Sequence, residues 1–81
     1  MTVENINGVP NQFRIRTDKG FIFQSYGSNI VVIENGEVFL DNLYWNYSRT
    51  TSKYRSIFLG ETTTVTKSKI KSGEYKLKNL N

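Results

Sequence analysis

A chain of 81 residues makes one domain near the small end of what folds unaided, and with 37% hydrophobic residues its 14% aromatics must fill much of the core. It holds no cysteine and no histidine, so disulfide staples and thiolate metal sites are excluded, and the commonest general base and best nucleophile are missing. The net charge of +4 conceals an asymmetry: residues 1–48 carry three Lys/Arg against five Asp/Glu, and residues 49–81 carry eight against two. That basic second half predicts a polyanion or an acidic protein surface as partner.

Thr2 to Ile6 opens the chain with a short strand signal, Asn7-Gly8 is a turn signal, and Pro10 forbids a helix. From Gln12 to Thr17 the residues alternate, with Phe13 and Ile15 on one face and Arg14 and Arg16 on the other, as in a half-buried strand. Asp18-Lys19-Gly20 makes a tight turn. Phe21 to Ser25 is the next strand, with Phe21 and Phe23 facing one side, Ile22 and Gln24 the other. After a break at Tyr26-Gly27-Ser28, the β-branched run Ile30-Val31-Val32-Ile33 predicts a central strand covered on both faces. Asn35-Gly36 is the strongest hairpin signal, with both residues expected at positive φ, and Glu37 to Leu40 is the return strand.

Tyr47 to Gly60 is the main helix. Ser48 or Thr50 supplies the N-cap, and Gly60 stands where a left-handed residue ends a helix. Tyr54, Ile57 and Phe58, with Tyr47 one turn earlier, share a face; Arg49, Lys53 and Ser56 fall on another, with Arg55 between. Thr50, Thr51 and Ser52 are indifferent helix formers, so packing on the sheet must help hold this helix. Thr64 to Ser72 forms a short second helix with Thr64 or Thr66 as cap, Val65 and Ile70 inward and Gly73 as stop. Glu74 to Leu80 alternates Tyr75 and Leu77 with Lys76 and Lys78, which suits a last short strand or an ordered tail.

The expected fold is α+β: a single domain built on an antiparallel meander of about four strands, packed with one main helix and a short C-terminal helix. Phe13, Ile15, Phe21, Phe23, Val32, Ile33, Phe39, Tyr54 and Phe58 are expected in its core.

Three stretches carry a resemblance. Phe23-Gln24-Ser25-Tyr26-x-Ser28-x-Ile30, then Tyr47-Ser48-x-Thr50-Thr51-x-Lys53-Tyr54 with Phe58-Leu59, and finally Ile70 to Leu77 occur in order. From about Gln12 onward the chain resembles a family of small proteins of phages and mobile elements in low-GC Gram-positive bacteria. The resemblance implies that setting and brings no activity and no site residues.

Of the seven carboxylates, Asp18, Glu34, Glu37 and Asp41 flank turns, where acids are ordinarily solvated. Glu34 and Glu37 across one tight turn make only a weak metal candidate, and no glycine loop suits a phosphate, so no cofactor and no metal is expected. Gln24, Ser25, Tyr26 and Ser28 form a polar patch that either satisfies a turn or, through Gln24 and Tyr26, contacts a partner. Arg49, Lys53 and Arg55 interleave with Tyr44, Trp45 and Tyr47, a mixture that serves nucleic-acid surfaces when the rings are free and is plain core plus solvated face when they are not. Lys67, Lys69 and Lys71 extend the basic half, facing phosphate or simply solvent.

The expectation is a non-enzymatic accessory protein that binds and inhibits or redirects a host nucleic-acid-handling or defence protein, for example one of anti-CRISPR type. The alternative is a small basic protein acting directly on DNA or RNA. Partner contact is expected at Arg49, Lys53, Arg55, Lys67, Lys69, Lys71, Gln24 and Tyr26. Without a long apolar run or a secretory segment the chain is expected in the host cytoplasm with no membrane partner.

Overall fold

The computed structural model describes residues 1–81. It contains strands β1 (Thr2–Asn5), β2 (Gln12–Arg16), β3 (Gly20–Ser25), β4 (Ser28–Glu34) and β5 (Glu37–Asp41), helices α1 (Arg49–Leu59) and α2 (Thr63–Ser72), and a last strand β6 (Tyr75–Lys78). β1 to β5 form an antiparallel meander, and β6 joins β5 in parallel to give one sheet in chain order. The α+β class holds, but the sheet has six strands where about four were expected. The two additional strands are edges of four residues each. Neither is specified by its own pattern alone: Val3 pairs with Ile15, and Leu77 with Leu40 across both helices. A parallel return requires a crossover, and α1 and α2 are that crossover, so both pack on one side of the sheet.

The covered face holds the core. Phe23, Val31 and Leu40 stand side by side in register and are fully buried, with Ile6, Ile30 and Tyr75 completing the cluster. Trp45, Tyr54, Phe58, Leu59 and Ile70 pack against it. Phe58 stacks on Phe23 at 5.6 Å between ring centroids, and Ser25 and Thr51 share a 2.9 Å hydrogen bond that fixes the other end of α1.

The alternation in β2 has the opposite sense to the one a half-buried strand suggests. Arg14 pairs with the core residue Phe23 and lies on the helix side, its guanidinium 5.5 Å over the Phe58 ring. Phe13 and Ile15 therefore lie on the side without helices and are only partly buried. Val32 and Phe39 share that open face and are likewise partly exposed, so the expected second cover over β4 is not there. Phe21, expected in the core, is on the helix side but beyond the reach of α1 and is 39% exposed.

The turns follow backbone chemistry. Asn35 and Gly36 sit at φ 52° and 80°, as expected for a two-residue hairpin. Tyr26 and Gly27 make a second such turn at 51° and 82°, where the sequence shows only a break. At Gly20 a Cβ would come within 1.9 Å of the Ile33 carbonyl oxygen, so β3 and β4 approach closely only because a side chain is absent.

Ser48 caps α1 by accepting from the Thr51 N–H at 3.1 Å, and Gly60 ends it in the left-handed conformation. α2 is capped by Thr62, which accepts from the Val65 N–H, and not by Thr64 or Thr66. Thr66 is instead buried and donates to Glu61 at 2.7 Å. No helix is long and apolar enough to cross a membrane.

Candidate functional site

The side chains with unusual electrostatics are all committed to holding the fold. Arg55 is fully buried, whereas the sequence placed it with the contact cations. Its guanidinium donates to the Trp45 carbonyl, to Asn46 Oδ1 at 3.2 Å and to Thr63 Oγ1 at 2.7 Å, and it lies 5.1 Å from the Trp45 ring. Burial pulls its pKa below the ordinary arginine value, and the charge of Glu61 opposes that shift. The residue thus ties the 42–48 loop to the start of α2 and offers nothing to a partner.

Glu61 forms a second internal knot. It accepts from Tyr75 Oη at 2.6 Å, Thr66 Oγ1 at 2.7 Å and Lys69 Nζ at 3.1 Å. Burial would raise its pKa, but these three donors outweigh burial and hold the carboxyl below its ordinary range. The Lys69 pKa is raised by the bond to Glu61, then by that to Tyr75, and Lys69 also reaches Glu74 at 3.8 Å. Lys69 is therefore a neutralised cation.

Asp41 is the third. Burial would raise its pKa, yet the backbone N–H groups of Leu80, Tyr44 and Leu43 and the Asn81 amide together lower it. No group of three or more acids gathers anywhere as metal ligands would.

Arg49, Lys53, Lys67 and Lys71 remain on the helix layer. All four are exposed and none has a carboxylate within ion-pair distance; Lys53 only lies 5.4 Å over the Tyr54 ring. The polar patch stands apart from them. Gln24 is on the open face of the sheet, donating to Asn29 Oδ1 at 3.2 Å, while Tyr26 is 54% exposed at the tip of the β3–β4 turn. Of the eight expected contact residues, then, four are free helix-layer cations, Arg55 is buried, Lys69 is partly exposed but paired with Glu61, and two lie at the far end of β3.

Two further features escaped the sequence. On the helix side, where α1 stops short of β1 and the β2–β3 hairpin, a cleft of about 390 Å³ is lined by Arg14, Arg16 and Phe21 together with Thr2, Val3 and Glu4. It adjoins a second cleft of about 250 Å³ between Arg14, Phe21, Ile33 and Phe58. Glu4 occupies part of this charge, at 3.5 Å from Arg14, and Arg16 is exposed with no acid beside it. The signal was the very alternation that made Arg14 and Arg16 look outward. On the opposite side, Val3, Ile15, Ile22, Val32 and Phe39 pair successively into one apolar row across five strands, with no helix over it.

No curated protein and no solved structure matches the chain. The model of a family of unknown function (DUF8033) matches residues 2–74, nearly the full length, and the chain belongs to that family.

Proposed function

We propose that this is a non-enzymatic binding protein of a phage or mobile element, which docks its helix layer on an acidic surface of a host nucleic-acid-handling or defence protein and inhibits or redirects it, as an anti-CRISPR protein would. One observation carries the reading: Arg49, Lys53, Lys67 and Lys71 are exposed without acidic partners, while the charges at Arg55, Glu61 and Asp41 are engaged by hydrogen bonds within the fold. Unpaired surface cations steer an acidic partner into contact and fix its register. The resemblance to phage and mobile-element proteins supplies the host setting, in the cytoplasm.

The test is capture from nuclease-treated host lysate. The native chain should retain one protein in stoichiometric amount, and the variant R49E/K53E/K67E/K71E should lose it. Because all four residues are exposed, each reversal should move stability by no more than about 0.5 kcal/mol, so a folded variant is expected. A folded quadruple variant that retains the same protein overturns the reading.

The cleft at Arg14, Arg16 and Phe21 favours a second reading, direct binding of single-stranded DNA or RNA, since guanidinium groups meet phosphates and an exposed ring such as Phe21 stacks on a base. Titration of a single-stranded oligonucleotide at rising salt separates the two. Steep weakening with salt, and loss in Arg16→Ala, would support the nucleic-acid reading; absence of binding at low salt would remove it.

A further inference from the structure

The exposed rings gather at one end of the molecule. Strand register places residues 6–11, the Tyr26-Gly27 turn, the 42–48 loop and the 79–81 tail together beyond the same ends of the strands. Tyr54 and Tyr75 pack in or against the core, whereas Tyr26, Tyr44 and Tyr47 all belong to these loops and are 54%, 37% and 49% exposed. Leu43 is 71% exposed beside Tyr44. Every asparagine except Asn35 also lies in these loops or at the adjoining strand ends.

These segments are bonded to one another. The Asn11 carbonyl accepts from the Tyr26 N–H at 2.9 Å, and Asn81 bonds both to the Asn29 backbone and to Asp41. Asp41 in turn accepts from the N–H groups of Leu43, Tyr44 and Leu80, and Asn46 accepts from Ser52 of α1 at 2.6 Å. Tyr44 and Tyr47 meet edge to face with their ring centroids 5.3 Å apart. Rings held in this way lose little freedom on contact, and binding loops rich in Tyr, Asn, Ser and Gly use them so. Charge singles out the same end. Of the seven carboxylates, Asp18, Glu34, Glu37, Glu61 and Glu74 lie toward the opposite end, Glu4 is paired with Arg14, and Asp41 is buried. Arg49, two residues after Tyr47, and Lys53 one turn on are exposed without an acidic partner.

We propose that Leu43, Tyr44 and Tyr47, with Tyr26 at their margin, are the anchor by which the chain holds an acidic host protein. The proposal rests on the host-partner reading and divides the labour within it: the helix-layer cations bring the partner in, and the rings keep it. A protein surface fits this end better than a nucleic-acid strand does. Leu43, the most exposed of the four, suits an apolar pocket and not a base. An edge-to-face pair does not present two parallel faces to successive bases, and two cations are too few to follow a phosphate backbone.

The probe is the protein that the native chain retains from nuclease-treated host lysate, purified and passed over the immobilised chain. Tyr44→Ser, Tyr47→Ser and Leu43→Ser should each raise its dissociation rate by roughly tenfold, with an association rate within about twofold of native. R49E/K53E/K67E/K71E should instead slow association and flatten its dependence on salt. Leu43→Ser keeps the test decisive, because its side chain lies mostly in water and its loss leaves the loop bonds in place. Native dissociation rates in all three folded variants overturn the anchor and leave the helix-layer reading standing. Faster dissociation in them, beside native binding by the quadruple variant, supports the anchor and overturns the helix-layer reading. An oligothymidylate of about 12 nucleotides that binds the native chain but not the tyrosine variants assigns the rings to bases and overturns the protein anchor. A lysate from which no protein is retained overturns both.

Discussion

Arg55 carries its charge into the interior between α1, the 42–48 loop and the first residue of α2, and its neighbours are what make that tolerable. The Trp45 carbonyl, Asn46 and Thr63 accept from the guanidinium, the Trp45 ring lies under it, and Glu61 supplies the nearest opposite charge. Truncation would leave buried acceptors with no donor, so Arg55→Ala should cost about 3 kcal/mol. Arg55→Lys should recover little, because a point charge cannot serve acceptors arranged around a planar fork. Urea denaturation reads both; a midpoint equal to that of the native chain would put Arg55 back on the surface. Helical spacing had set this residue between the polar and apolar faces, which is where it is, but spacing cannot distinguish a solvated cation from a buried one. The deciding partners, Trp45 and Thr63, lie ten residues before and eight after. Arg55 Nε itself is left without a partner, and Gln12 goes further, a fully buried amide whose Oε1 and Nε2 both have none within the protein.

At the scale of elements, what was legible depended on whether the determining residues were adjacent. The Asn35-Gly36 turn is encoded by two residues that tolerate positive φ, and the ends of both helices by Ser48, Gly60 and Gly73. The Tyr26-Gly27 turn was missed because tyrosine is a poor residue at φ 51°; its N–H is held by the Asn11 carbonyl at 2.9 Å, a contact from another hairpin. The sequence suggests Thr64 or Thr66 as the cap of α2, whereas Thr62, the residue just before the helix, takes that role by accepting from the Val65 N–H. β6 was harder still, since its partner Val38 lies on the far side of both helices from Tyr75. Gly36 gives the sharpest test. Replacing it by valine puts a β-branched side chain at φ 80°, where open space around the residue offers no steric excuse, so the loss reports backbone strain alone. Gly36→Val should lower stability by about 1–2 kcal/mol, with a smaller loss for Gly36→Asn. Equal stability of Val and Asn variants by thermal melting would mean that the turn is not held in the left-handed region.

The molecule as a whole is two unlike layers, a cationic helix side and an apolar open sheet face, and its last strand, paired with β5 and anchored by Tyr75 in the core, is tied down further by two carboxylates. Asp41 holds the backbone of Leu80 and the side chain of Asn81, and Glu61 holds Tyr75 and Lys69. The layered charge was partly visible as the contrast between the two halves of the sequence, whereas these carboxylates were read as solvated or left aside because Leu80 and Asn81, which complete the shell of Asp41, and Tyr75, which donates to Glu61, are remote. Both titrate below their ordinary values in the folded chain, so the folded state binds fewer protons than the unfolded one as acid is added. Their contribution is complete above the unfolded carboxyl range, near about 4, and is lost as pH falls from there through the lowered folded values. Acid should therefore release the C-terminal segment first: amide exchange in β6 should accelerate on acidification before exchange in β2 and β3 does, after correction for the intrinsic pH dependence. Asp41→Asn should reproduce part of the loss at neutral pH, about 2–3 kcal/mol, because an amide nitrogen must then face a backbone N–H donor. The same variant should flatten the acid limb of stability measured by urea midpoint between about pH 5 and pH 2, since the group that took up the proton is gone. An acid limb as steep in Asp41→Asn as in the native chain would assign the pH dependence to other carboxylates.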